Sequence, residues 1–545
     1  VPEHAFSYLI RGQIREKQEK FLDAIVDYSR SIQLDSGYTP AYVRRGNQYE
    51  SMKKWPEALA DYTSALSINT ELPGVYYSRG KIQSASGNFI DALKDFSATI
   101  ELNPSYELAF LERGQIYYWM GDLTQAIKNF SQLIALNPSH REAYFHRGNI
   151  YYYQGNFEEA LADYQTLFSF DVSQSVPYLL RIQVYLAQRN FEEAKKDCES
   201  LLKLDLHNSQ AHFYLGVLHL QENQIPAAIQ DFETALKYDS YSLDAYFELG
   251  KALKKQESWD QALLAFNQLL TLDPNHQEGT LQRADLYLHQ KQWASALQDY
   301  QKIVQASPES TEVYYECAFI YLQQNQMEAA MINIQNAIRL DFRQARFYAL
   351  RGQILGHQKQ WELALSDYQK AIQIDGKQSE FYFERAQIYI QKRLWTLAIE
   401  DLNNSIELFP DFIQAYYSRA NVYQQLGEAS KSVKDYQRTI ALNPDFLEAY
   451  YQRGELLLQN KYFAEAIEDF TKLIQRDPAH LLAYKKRMLA YIKINTPEQA
   501  LKDCKLAFFL APEDAELYFL QRESFILQSE FRKAIHSYSL AIQKI

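Results

Sequence analysis

Little in this chain of 545 residues breaks a helix. It has only 18 glycines and 15 prolines, and no stretch rich in Gly, Ser or Pro marks a linker between separate globular domains. Its three cysteines, Cys198, Cys317 and Cys504, are isolated in sequence. They support neither a disulfide framework nor a zinc site, and they favour a reducing compartment, so a cytoplasmic location is expected. No apolar run approaches the roughly 20 residues that a bilayer-spanning helix needs, so membrane insertion is not expected. No basic stripe exists either: the net charge is −12, with acids and bases mixed along the chain, which argues against nucleic acid as a partner.

Catalytic signatures are missing as well. There is no Gly-rich phosphate loop, no nucleophile elbow and no H-E-x-x-H or clustered Cys/His set. Neither an enzyme activity nor a cofactor is expected. The nearest set to a metal site is His207, His212 and His219, but the last two stand where other parts of the chain carry aromatic residues, which points to packing.

What is abundant is tyrosine, 42 residues of it, and it recurs with a period. Steps of 34 residues from Gly12 give Gly46, Gly80, Gly114, Gly148, Gly216, Gly250, Gly352 and Gly454, with Ala284, Ala318, Ala386 and Ala420 in phase. Steps from Ala24 return alanine at Ala58, Ala92, Ala126, Ala160 and onward to Ala398, and after Ser432 at Ala466, Ala500 and Ala534. With Gly12 as slot 8, sixteen units begin at residues 5, 39, 73, 107, 141, 175, 209, 243, 277, 311, 345, 379, 413, 447, 481 and 515. Each unit carries two apolar stripes at i, i+3, i+4 and i+7 spacing, and so predicts a pair of helices. Small residues at slot 8 let the two backbones approach, and prolines such as Pro104, Pro138 and Pro274 separate one pair from the next.

The series Tyr144, Gly148, Tyr151, Ala160 and Tyr164 resembles the tetratricopeptide repeat, and the resemblance covers nearly the whole chain. It implies an all-α, right-handed α-solenoid superhelix of about sixteen 34-residue helix-turn-helix repeats, whose first helices line a concave groove. It also implies a non-catalytic scaffold whose partners are other proteins, held as extended or helical peptide segments. Two further classes stay open: the substrate-selecting part of a larger enzyme, and a structural spacer in a large assembly. In this frame residues 1–4 fill the end of a preceding repeat, with Pro2 in the turn-proline slot, and Ile545 stops just before the next one. The expectation is a fragment of a longer protein, able to self-associate through uncapped ends.

Comparing the units with one another singles out further residues. Slot 7 is arginine in twelve units, among them Arg11, Arg45, Arg79, Arg113 and Arg147. Slot 23 is aspartate in eleven of those twelve, including Asp27, Asp61, Asp95 and Asp163, with Asn129 the exception. Both residues tend to disappear together, which predicts structural ion pairs within or between units and not a phosphate-binding ladder. Slot 17 holds Trp55, Trp259, Trp293, Trp361 and Trp395 in five units and phenylalanine in six others, and reads as core. Unit six departs most, with Ile182 at slot 8, Cys198 at slot 24 and Val172 in the turn-proline slot, and is expected to be the soft point.

Two candidate peptide-binding sites emerge. In units four and five, slots 12 and 13 are Tyr118, Trp119, Tyr152 and Tyr153, with Phe145, His146 and Asn149 nearby; no other unit places two aromatics there. These rings either line the groove as partner anchors or pack between helices. Towards the C-terminus, Gln353, Gln387 and Asn421 repeat at slot 9, and Gln391 and Gln425 at slot 13. Such amides would bind the backbone of an extended segment, and the acids around them, including Glu312, Glu316, Glu380 and Glu384, favour a neutral or basic one. The family's clamp for a C-terminal carboxylate is not recognisable. Its slot-5 lysine occurs only as Lys485, in a unit where slot 9 is Leu489.

Overall fold

A computed structural model describes residues 4–170 and 174–544; Pro2, Val172 and Ile545 lie outside the described residues. Among those described, the chain is entirely α-helical, with 32 helices in consecutive pairs forming a solenoid and no strand. The first helix of a repeat has 13 residues, as in Ala5–Lys17, and the second 14, as in Phe21–Leu34. First helices begin at Ala5, Thr39, Pro73 and so on at every 34th residue to Ala515. The chain forms two compact units, Val1–Gly279 and Thr280–Ile545.

Within a repeat the core is built on one close approach. A Cβ placed on Gly12 would lie 2.5 Å from the Tyr28 ring, and one on Gly46 would lie 2.7 Å from the Tyr62 ring. The slot-24 ring therefore rests directly on the slot-8 glycine and is fully buried there, worth about 2–3 kcal/mol per ring. In two repeats slot 8 grows and slot 24 shrinks. Ile182 packs with Cys198 and Met488 with Cys504, all four buried. In repeat six the two departures thus complement each other in volume. Burial also pushes the thiols of Cys198, Cys317 and Cys504 up to about 12, which keeps them protonated and unreactive.

Slot 17, expected in the core, is not buried. Trp361 and Trp395 are only half-buried, and Trp55 and Phe21 are exposed, because the first residue of the second helix overhangs the turn. That turn has one shared feature in every repeat. Slot 15 adopts positive φ in all sixteen, as Gly87, Gly121, Gly155 and Gly427 in four and as non-glycine residues such as Lys53 and Lys359 in the others. A left-handed residue closes the first helix: Lys54 N–H donates to Tyr49 O and Lys53 N–H to Glu50 O. Between repeats, an Asx turn takes over, with Asp35 Oδ1 accepting from Gly37 N–H and Asn103 Oδ1 from Ser105 N–H.

Candidate functional site

The repeated arginines are joined to the repeated aspartates sixteen residues on. Arg11 bonds Asp27 at 2.7 Å, and Arg45 forks onto Asp61 with Nε at 2.8 Å and Nη2 at 2.7 Å. Arg79 with Asp95 and Arg147 with Asp163 follow the same geometry. The third nitrogen reaches back to the preceding repeat: Arg45 Nη1 to Ser29 Oγ at 2.9 Å, Arg147 Nη1 to Ser131 Oγ at 2.9 Å, Arg487 Nη1 to Thr471 Oγ1 at 2.9 Å. Each such guanidinium is a clip that fixes its own second helix to the one before it, and this occupies the donors a phosphate would need. The Asp61 hydrogen bond raises Arg45 above the ordinary arginine range. Arg113, facing neutral Asn129, is instead lowered by burial.

Asp231 survives without an arginine because His219 replaces it, with Nδ1 2.6 Å from Asp231 Oδ2. His207 and His212 instead lie against the Tyr238 ring, 4.8 and 5.8 Å between centroids. The three histidines therefore serve different partners, and no group of three metal-ligating side chains occurs among the described residues.

The first candidate surface sits where the first helices of repeats four and five end, Glu107–Trp119 and Arg141–Tyr153. Trp119 is 62% exposed, Tyr153 72% and Tyr118 36%. Behind them the other rings are half-buried supports. Tyr152 meets Tyr153 edge-on at 5.5 Å and Phe157 at 6.1 Å; Phe89 backs Trp119 at 6.2 Å. His146 stacks on Phe130 at 5.4 Å, touches Phe145 edge-on and has Nε2 3.2 Å from Gln115 Nε2, so it packs between repeats, and burial lowers its pKa. Asn149 accepts a hydrogen bond from the Tyr164 hydroxyl at 2.7 Å.

The second candidate set lies in repeats eleven to thirteen. Asn421 accepts from the Tyr436 hydroxyl, and Gln387 Nε2 donates to Ser418 Oγ at 3.1 Å; Gln425 is exposed one turn beyond Asn421. Gln353, Gln387 and Gln391 converge on a cavity of about 250 Å³, together with Trp361, Tyr368 and Glu384. Burial raises the Glu384 carboxyl above the usual carboxylate range. A neighbouring cavity of about 400 Å³ has Arg351 and Asp367 in its wall, and those charges are already paired at 2.7 Å. The cavity at Gly356 left no sequence signal when single slots were compared. Only the pairing of slot 12 with slot 24 across two helices would have revealed it. Lys485 is taken by Asp514 and Glu516 at 2.5 and 2.8 Å.

Family profiles for the tetratricopeptide repeat match residues 111–168, 179–245, 247–311 and 417–480 in one form, 287–354 in a second and 345–378 in a third, together more than half of the chain. No curated protein matches the sequence. Among solved structures, that of Naa15/Naa10 bound to HypK-THB is 13% identical over 99% of both chains, with a TM-score of 0.36. YrrB, a TPR protein with an unusual peptide-binding site, is 22% identical over 35% of this chain and 97% of its own, at 0.32. The C-terminal part of a TPR repeat-containing protein from Cytophaga hutchinsonii is 18% identical over 44% and 99%, at 0.40. Likeness at this level decides nothing about function.

Proposed function

The chain belongs to the tetratricopeptide repeat family, and we propose that it is a non-catalytic scaffold that holds a segment of another protein against repeats four and five. The observation that carries this reading is the pair Trp119 and Tyr153, 62% and 72% exposed at the same slot of consecutive repeats. Large rings left in water at equivalent positions, each supported from behind by a second ring, are suited to anchoring the apolar side chains of an extended or helical segment. No helix among the described residues is long and apolar enough to cross a membrane.

The test is a selection of random displayed peptides on the immobilised full chain, followed by calorimetric titration of the selected peptides. Trp119→Ala/Tyr153→Ala should weaken binding at least about tenfold, as expected for truncating two anchor rings, with the helical circular dichroism unchanged. Unchanged affinity in the double variant would overturn the assignment.

A further inference from the structure

Slot 12 of a first helix meets the slot-24 ring of the second. Tyr28 donates to Glu16 at 2.6 Å, Tyr62 to Glu50 at 2.6 Å and Tyr436 to Gln424 at 2.8 Å. Repeat eleven keeps the tyrosine, Tyr368, but slot 12 is Gly356. A Cβ at that position would meet nothing within 4 Å. The missing side chain leaves part of the 250 Å³ cavity open, and the Tyr368 hydroxyl in its wall makes no hydrogen bond to any of the described residues.

The rest of the wall is rich in acceptors. Gln353 enters from the same first helix, Ala345–His357, and Glu384, Gln387 and Gln391 from the next, Ser379–Gln391. Trp361 supplies an aromatic wall from the intervening helix, Trp361–Ile374. Glu384 is half-buried and, among the described residues, forms no ion pair. The arginines beside it, Arg351 and Arg385, are committed to Asp367 and Asp401 at 2.7 Å, and Lys392 to Glu362. One carboxyl, three side-chain amides, a hydroxyl, an indole and the imidazole of His357 thus surround a space large enough for one side chain. It is smaller than the roughly 300–1,000 Å³ that houses a drug-sized molecule.

We propose that this cavity is a specificity pocket for one arginine side chain of a bound protein segment. A guanidinium is planar, always charged and carries five donors; it matches the Glu384 carboxylate, the amide oxygens and Tyr368 Oη, and stacks on an indole face. Lysine offers a point charge without the planar fork and ranks second. The pocket rests on the scaffold reading only in taking the arginine to be part of a protein; it is separate from the aromatic surface of repeats four and five.

Ligand-observed saturation-transfer NMR on the full chain tests it, with N-acetyl-arginine amide, the lysine analogue and the neutral isostere N-acetyl-citrulline amide as probes. The arginine probe should bind with a Kd of about a millimolar, the scale for a ligand of this size, and citrulline at least tenfold more weakly. Gly356→Gln, which rebuilds the Gln424–Tyr436 arrangement of repeat thirteen, should abolish binding while raising Tm, since a helical glycine is removed. Glu384→Gln should weaken arginine at least tenfold, and Trp119→Ala should leave it unchanged. No arginine signal, equal binding of citrulline, or full binding by Gly356→Gln would each overturn the pocket. Loss of peptide binding in the Trp119/Tyr153 variant with arginine binding intact would separate the two sites.

Discussion

Repeats four and five fill slot 12 with Tyr118 and Tyr152, while repeat eleven fills it with nothing beyond the backbone of Gly356. The helices around these positions have the same lengths and the same small residue at slot 8. Yet one region presents exposed rings and the other a cavity lined by amides and an acid. In a solenoid of this kind the buried slots set the scaffold, and slot 12, which half-covers the slot-24 ring, shapes the surface beside it. Tyr152 there backs the exposed Tyr153 at slot 13, a glutamate or glutamine satisfies the ring's hydroxyl, and a glycine leaves a hollow beside it.

The largest expected effect tests what the two regions share. Asp163→Ala in repeat five and Asp367→Ala in repeat eleven each strand a half-buried guanidinium, Arg147 or Arg351, and should each cost about 3 kcal/mol in denaturant unfolding. A clear difference between them would show that the clips are not equivalent parts of the scaffold. A smaller effect comes from turning one region into the other. Tyr152→Gly should remove about 2 kcal/mol, combining lost ring burial with a glycine in a helix, and should open a cavity above Tyr164 detectable as a new site for a small aromatic probe. A loss below about 0.5 kcal/mol would mean that Tyr152 does not cover the slot-24 ring.

The smallest effect concerns pH and distinguishes the acid-rich repeats. Burial, with Glu312 and Asp285 nearby and only Arg346 opposing them, raises Glu316 to about 7. The folded state therefore holds this proton more tightly than the unfolded chain. Below about pH 4.5 both states are protonated and the group costs nothing. As pH rises towards 7 the unfolded state ionises first and stability falls. Glu316→Gln should match the wild type at pH 4 and melt higher at pH 8, by under about 1 kcal/mol once solvent screening is allowed for. An equal difference at both pH values would assign the effect to packing.

Much of this was legible in the residues because each repeat restates the same physical problem. Gly12, Gly46 and their successors announced a close backbone approach, and the joint presence of Arg45 with Asp61 announced a contact. Other features were hidden because they involve two helices or a backbone angle. The clip's second half, Arg45 to Ser29, pairs a repeated residue with a varied one, so comparing slots one at a time does not show it. The positive φ at slot 15 is borne by Lys53 and Lys359 as well as by Gly155, because the turn geometry overrides a local preference worth roughly 1–2 kcal/mol. Slot 17 looked like core because eleven of the sixteen repeats place a tryptophan or phenylalanine there, but its place at the head of the second helix leaves it half-wet.

Read alone, the residues carry the period, the helix pairs, the need for a small residue at slot 8, the arginine–aspartate pairing and the two regions where polar or aromatic residues depart from the pattern. All of these follow from side-chain volume and polarity repeated at fixed spacing, which no tertiary context needs to supply. Tertiary structure alone decided which departures face water, which are spent on a neighbour, and where a missing side chain becomes a space. Those outcomes depend on distances between residues 12 to 34 positions apart. Trp119 stayed outside the core, His146 and Asn149 were spent half-buried on neighbouring side chains, and among the described residues Gly356 left a hollow beside a hydroxyl and an acid without partners.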